Sequence, residues 1–276
     1  MDMDRRRFAV TVAGATAAQA AGMNLAHAAK RAPETIDEGV FVEINGMQQW
    51  ITIRGRDSRN PVLLLLHGGP GFPMSMMAPA FAEWEKDFTL VQWDQPGGGA
   101  TYARNLDRDQ GPLTIARYVA DGLALTEFLC GRLKTRKIML LGNSWGTMLG
   151  VMMIQRRPDL FAAYVGTSQA VSGPQGAKLG YQLALDAARR RGDSAGVTAL
   201  ERVGPPPYAK LEDLLVRQTY SNPPGLPPTP AEAAASAAQA KLMVGLPAPD
   251  VHYLARGLPS YDFIKVFMAA QQATFA

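Results

Sequence analysis

The sequence predicts an α/β fold built around a mostly parallel sheet, and three observations carry that expectation. Val62–Leu66, VLLLL, is an unbroken apolar run bounded by turn residues, the pattern of a strand buried on both faces. Apolar strand-like runs then alternate with helical segments: FTLVQWD, a helix from Thr114, KIMLL, a second apolar helix, and AAYVGTSQ. The chain has 276 residues, 47% hydrophobic and 19% charged, enough for one sizeable core with an added lobe.

Taken in order, FVEINGMQQWITIRG places two short strands about Asn45-Gly46, a dipeptide suited to a tight hairpin turn. After the Val62–Leu66 strand, PAFAEWEKDF reads as a short helix, FTLVQWD as a strand ending at Asp94, and QPGGGATYARN as a glycine-rich loop. Thr114 can cap a helix that runs to about Arg132, with Ile115, Tyr118, Val119, Gly122, Leu125 and Leu129 on one face. Cys130 in that helix is expected to be a buried structural thiol. KIMLL is the next strand. The helix after Ser144 carries Trp145, Met148, Leu149, Met152 and Met153 on one face and Val151 and Ile154 on the other, as a buried helix does. These residues make an expected core over 37–171. From 172 to 276 the texture turns Ala-, Arg- and Pro-rich, with helical YQLALDAARRRG and PAEAAASAAQAKLM separated by GPPPY and NPPGLPPTP, and this part reads as a helical lid.

Residues 1–28 have a basic head, a weakly apolar run and a small-residue end, Ala26-His27-Ala28. Arg5-Arg6-Arg7-Phe8 resembles a twin-arginine export motif, so this segment is expected to be a signal cleaved near Ala28, taking the protein through the export machinery to the periplasm or beyond. The run is too weakly hydrophobic for a stable membrane anchor. The net charge of +4 comes with no basic stripe interleaved with aromatics, which disfavours nucleic acid as a partner. The single cysteine excludes an intrachain disulfide framework, and no Cys/His cluster has metal-ligand spacing, so no metal or cofactor is expected.

The chemistry centres on Gly142-Asn143-Ser144-Trp145-Gly146, a G-x-S-x-G string between an apolar strand and an apolar helix. That is how a chain presents a nucleophilic serine at a sharp turn, with glycines on both sides so that the strand and helix backbones pass closely. His67-Gly68-Gly69-Pro70-Gly71 follows an earlier strand, where glycines leave backbone N–H groups uncovered for an oxyanion. The expected oxyanion donors are the N–H of Trp145 and one from the loop around Gly68 and Gly69. A phosphate loop is disfavoured because the lysine of that motif is absent. An aspartate elbow, as in dehalogenases and epoxide hydrolases, is disfavoured by Ser144.

HGGPG, WDQPGGG and GNSWGT, in this order and spacing, resemble the proline iminopeptidase group of the α/β-hydrolase superfamily over roughly Val62 to Thr167. The resemblance implies an α/β-hydrolase fold with a helical lid, and a serine peptidase that releases an N-terminal residue from a peptide. It implies Ser144 as nucleophile, Gly69 and Trp145 as oxyanion donors, His67 as support for the oxyanion loop, and Asp94 and Gln95 as a structural pair. Pro96 stands where the family has arginine. The lid lacks the family's Trp-rich segment, and Glu201, Glu212 and Glu232 lack its setting. An esterase on the same fold, or a homologue that only binds, remain the alternatives.

A serine nucleophile needs a histidine base, and the chain has three histidines, His27, His67 and His252. His27 falls in the expected signal and His67 opens the oxyanion loop. His252 has the right chain order but no strand pattern before it, which makes it a weak candidate for the base. The triad acid and base are therefore expected to lie outside this chain, on further strands of the sheet, which makes the chain a fragment of weak activity. Export is directly testable: with Arg5 and Arg6 both changed to lysine, the precursor stays in the cytoplasm. Mature protein reaching the periplasm in that double variant contradicts the twin-arginine reading.

Overall fold

A computed structural model describes residues 33–108 and 111–221, together with positions 230, 233, 234 and 237. The expected signal, His27, His252 and the segment PAEAAASAAQAKLM (apart from those four positions) lie outside the described residues. Six strands form one sheet in the order β1-β2-β4-β3-β5-β6. They are β1 (Ile36–Ile44), β2 (Met47–Gly55), β3 (Val62–Leu66), β4 (Thr89–Trp93), β5 (Ile138–Asn143) and β6 (Phe161–Thr167). β1 and β2 form an antiparallel hairpin whose turn residues Asn45 and Gly46 both have positive φ, 49° and 80°. Both strands run nine residues, longer than the short pair expected. β2 also pairs antiparallel with β4, while β4, β3, β5 and β6 are mutually parallel.

β3 and β4 are buried along their whole length. Their side chains still divide by the period-two rule. Val62, Leu64 and Leu66 belong to the main core with Trp93, Tyr118, Leu125, Leu129 and Leu149. Leu63 and Leu65 join Leu90 in a smaller cluster against Phe81 and Phe88. Each such leucine, fully withdrawn from water, contributes about 1.5–3 kcal/mol. The main core is covered by α2 (Ile115–Leu133) and α3 (Trp145–Arg156). Thr114 caps α2 by accepting from the Arg117 N–H at 3.1 Å. Cys130 is only partly buried, because its position lies at the margin of the apolar face.

Two local expectations are corrected. PAFAEWEKDF is not a regular helix but parts of two 3₁₀ segments, Ser75–Phe81 and Trp84–Lys86. Pro79 lies inside the first and supplies no N–H to an α-helical ladder. The glycine-rich stretch after Asp94 is not all loop: Gly99–Arg104 forms a short helix, α1. Asp94 stabilises its start from a distance, accepting the Ala100 N–H at 2.9 Å. Among the described residues, β6 is followed by the helices α4 (Gly173–Arg191), α5 (Ser194–Val203) and α6 (Leu211–Ser221). They share a cluster of Tyr181, Ala184, Leu185, Ala188 and Leu200, with Val197 and Tyr220 packed against it.

One buried charge ties α2 to the hairpin. Asp121 is fully buried and accepts from Asn45 Nδ2 at 2.7 Å, from Gln49 Nε2 at 2.8 Å and from Arg117 Nε at 3.1 Å. Gln49 in turn accepts from the Trp93 indole at 2.8 Å. Asp121→Ala removes the acceptor that these groups share and is expected to destabilise the fold by about 3–5 kcal/mol. Urea denaturation measures this, and a loss under about 1 kcal/mol would contradict the role assigned to the network.

Candidate active site

The sheet brings the two glycine motifs together. β3 and β5 are parallel neighbours with Leu66 opposite Gly142, so the chain leaves both strands at the same level. A Cβ built on Gly68 would lie 3.0 Å from Asn143 Oδ1 and 3.4 Å from Ser144 Cβ. The backbone of the first motif therefore stands directly beside the serine of the second. The site also lies where the chain, having passed from β3 to β4 on one side, crosses to β5 on the other. Such a switch point leaves a crevice at the carboxyl ends of parallel strands.

Ser144 is exposed and sits at φ 50°, ψ −115°, between the end of β5 and the head of α3. A non-glycine residue in that region costs on the order of 1–3 kcal/mol, so the surroundings must hold it. The Ser144 N–H donates to Thr167 O at 3.0 Å, and the Ser144 carbonyl accepts from Thr147 N at 2.9 Å and Thr147 Oγ1 at 2.6 Å. Gly142 and Gly146 make the turn possible. A Cβ at Gly146 would fall 2.0 Å from the carbonyl oxygen of Leu66, and one at Gly142 would fall 2.6 Å from the carbonyl oxygen of Gly146. Trp145 is the first residue of α3, where the helix provides no carbonyl for its N–H. Gly69 has φ 113°, and a Cβ there would meet Gly71 N at 2.8 Å. The peptide between Gly69 and Pro70 is cis.

The loop after β4 locks these two turns to each other. His67 is 1% exposed. Its Nδ1 donates to the Gly68 carbonyl at 2.8 Å, and its Nε2 accepts the Gln95 N–H at 3.3 Å, so both nitrogens are engaged and the ring is neutral. Burial pushes its pKa down to about 4, against the opposing pull of the Gly68 carbonyl. Gln95 Nε2 donates to His67 O at 3.4 Å, while Gln95 Oε1 accepts from the Trp145 indole at 3.0 Å. Trp145 meets Tyr118 edge-on at 5.5 Å between ring centroids, and the Tyr118 hydroxyl donates to Pro96 O at 2.7 Å. A Cβ on Gly98 would lie 3.0 Å from Gly71 Cα, so the loop touches the first glycine motif as well.

Asp94 heads this loop and is fully buried. It accepts from Ser75 Oγ at 2.6 Å and from Ala100 N at 2.9 Å, and its own carbonyl accepts from Thr101 Oγ1 at 2.5 Å. Burial nonetheless pushes its pKa up to about 7, the two donors offsetting only part of the cost.

The structure thus gathers Ser144, Trp145, Gly68, Gly69, His67, Gln95, Gly142 and Gly146 in one place, with Asp94 one residue behind. Sequence reasoning missed Tyr118, Ser75, Thr101 and Thr147 as partners of the site. Tyr118 was legible only as a core residue, and single hydroxyls carry no periodic signal. Among the described residues His67 is the sole histidine, and its ring nitrogens are taken by Gly68 and Gln95 rather than by Ser144.

The chain matches the family described as alpha/beta hydrolase fold over residues 61–201. It is 33% identical over 178 residues to the probable aminopeptidase YbaC of Bacillus subtilis, a match covering 64% of this chain and 55% of that protein. It is 34% identical over 109 residues to a proline iminopeptidase of Lactobacillus helveticus, 39% of this chain and 35% of the other. Among solved structures, a proline iminopeptidase-related protein of Thermus thermophilus superposes with a TM-score of 0.52 at 21% identity, over 85% of this chain and 72% of that one. At that identity the likeness is one of fold. The match spans about half the length of YbaC, and about a third of the Lactobacillus enzyme.

The two buried groups titrate in opposite senses. His67 has its folded-state pKa below the ordinary histidine value, so the unfolded chain takes up the proton first. Its contribution to stability falls as pH drops from about 6.5 toward 4. Asp94 has its folded-state pKa raised, so its contribution is fully present below about pH 4 and is lost as pH rises through about 7. Between these limits the two largely cancel. Asp94→Asn removes one side of the balance: relative to wild type, the variant is expected to lose about 3–4 kcal/mol as pH falls from 7 to 4. Urea denaturation across that range checks this, and parallel pH profiles for the two proteins would contradict it.

Proposed function

Because the chain belongs to the α/β-hydrolase family, we propose that it is a serine hydrolase of the aminopeptidase type, with Ser144 as nucleophile, removing an N-terminal residue from short peptides. The observation that carries this reading is the placement of Ser144: exposed, strained, at the head of a buried helix, with the Gly68 backbone against it. The aminopeptidase and proline iminopeptidase names of the relatives support the substrate class.

In this mechanism Ser144 Oγ attacks the scissile carbonyl, and the oxyanion accepts from the backbone N–H groups of Trp145 and Gly69. Such donors matter because they are fixed in advance by the fold; losing one from a hole of this kind typically costs about 10²–10³-fold in rate. The links from His67 through Gln95 to Trp145 hold the two donor segments in register. The hydroxyl also needs a base to take its proton. His67 is already committed to Gly68 and Gln95, so the base and its acid partner are supplied by residues outside those described. His252 is one such residue. The Arg5-Arg6-Arg7-Phe8 motif supports N-terminal export, with removal of residues 1–28, to the periplasm or beyond.

In a protein that carries its base, a fluorophosphonate probe is expected to label Ser144, and Ser144→Ala to abolish labelling and reduce hydrolysis by about 10³-fold or more. Proline-naphthylamide assayed beside p-nitrophenyl esters separates the peptidase from an esterase on the same fold. Absence of labelling at Ser144 would leave a homologue that only binds. His252→Ala removes activity if His252 is the base and leaves it unchanged otherwise.

A further inference from the structure

Asn143 is the last residue of β5, half-buried, and directly precedes the exposed Ser144. Its amide nitrogen donates to Thr167 Oγ1 at 2.9 Å. The Thr167 hydroxyl in turn donates to Gly142 O at 3.2 Å. A hydroxyl carries one proton, and this one is committed to Gly142, so toward Asn143 the Thr167 oxygen accepts. The amide of Asn143 therefore faces Thr167 through its nitrogen, and its oxygen is turned away from β6.

The oxygen is turned toward the first glycine motif. A single point beside Gly68, where a Cβ would stand, lies 3.0 Å from Asn143 Oδ1 and 3.4 Å from Ser144 Cβ. The amide oxygen and the serine side chain thus stand against the same stretch of backbone. Their mutual placement is fixed by one partner strand. Asn143 and Thr167 are opposite each other in the β5–β6 ladder, and Thr167 O accepts the Ser144 N–H at 3.0 Å. The residue that clamps the strained elbow also decides which end of the Asn143 amide is presented beside it.

What that oxygen can do follows from its chemistry. An amide oxygen has two lone pairs and accepts from N–H donors. In a peptide cut after its first residue, the free α-nitrogen is borne by the carbon next to the scissile carbonyl. A nucleophile poised about 3–3.5 Å from that carbonyl therefore has the α-nitrogen close by. A hydrogen bond of about 2.9 Å then joins the nitrogen to an acceptor beside the nucleophile.

We propose that Asn143 Oδ1 accepts a hydrogen bond from the free N-terminal ammonium of the substrate, so that Asn143 distinguishes an unblocked N-terminus from a blocked or deaminated one. Thr167 is its positioning residue. The proposal rests on the reading of Ser144 as the nucleophile of an aminopeptidase. A neutral acceptor suits this place. A carboxylate one residue from Ser144 would oppose the negative charge that develops on the attacked carbonyl oxygen, whereas an amide accepts from the ammonium without adding net charge.

The test uses the full chain, titrated calorimetrically at about pH 6, where an α-amine is protonated. The ligands are leucine amide and 4-methylpentanamide, the same molecule without its amino group. Leucine amide is expected to bind about tenfold more tightly, as one hydrogen bond to a charged group provides. Asn143→Ala is expected to remove that preference with affinity for 4-methylpentanamide nearly unchanged. Thr167→Val, which frees the amide to turn, is expected to narrow it. Asn143→Asp, of the same shape, is expected to widen it, because a carboxylate holds an ammonium more strongly. Equal affinity of the wild-type chain for the two ligands, no binding of either, or a preference that survives Asn143→Ala overturns the proposal. If Asn143→Ala fails to fold, Asn143→Asp decides, and a preference no wider than that of the wild type overturns it. Fluorophosphonate labelling, in a protein that carries its base, reads Ser144 separately. Labelling without an amine preference removes the role of Asn143 alone, and an amine preference without labelling removes the hydrolase reading alone.

Discussion

The geometry of the site depends on how closely the first turn of α3 approaches the end of β3. Gly146 sits so near the Leu66 carbonyl that a single added methyl would overlap it. That contact sets the depth to which α3 sinks into the sheet, and with it the height of Ser144 above the strand ends. It also aligns the α3 head with the loop leaving β3. If the helix stood back to admit a side chain at position 146, the serine would move away from Gly68 and the two motifs would no longer share a crevice. The strained backbone of Ser144 is the cost of this approach, offset by hydrogen bonds from Thr147 and to Thr167.

A second layer of polar contacts keeps that crevice from relaxing. Buried polar groups in a sheet-end loop are expensive unless each finds a partner. Here they partner one another across elements: His67 with Gln95, Gln95 with Trp145, Tyr118 with Pro96, and Asp94 with Ser75 and Ala100. The consequence is that three loops, after β3, β4 and β5, behave as one body. The opposed titrations of His67 and Asp94 belong to the same arrangement, since burial drives both groups toward their neutral forms. Neutral His67 is what its two hydrogen bonds require, and those bonds occupy both of its ring nitrogens.

The helices beyond β6 have a looser relation to this body. Their own small cluster around Leu185 and Leu200 holds them to each other, while Thr147 and Ala170 link the segment before them to the elbow. A hollow lies at this seam, walled on one side by the rigid α3 and on the other by α4 and α6.

Much of this was legible in the residue pattern. VLLLL announced a strand buried on both faces, Asn45-Gly46 its hairpin, Thr114 its helix cap, and the glycines about Ser144 a turn that brings backbones close. Each is a local matter of period, cap or positive φ, and such signals are written in neighbouring residues. The 3₁₀ segments about Pro79 and the short helix α1 escape a reading of this kind because their stabilising contacts, such as Asp94 to Ala100, come from side chains across a turn. What only the tertiary structure decided is the strand order, which sets β3 beside β5 with Leu66 opposite Gly142. Chain order does not specify which strands pair, because pairing is settled by the packing of helices over the whole sheet. The same holds for the partners of His67, for the burial of Asp121 and for Asn143 beside Gly68: a charged or polar residue has no periodicity to betray what it will meet.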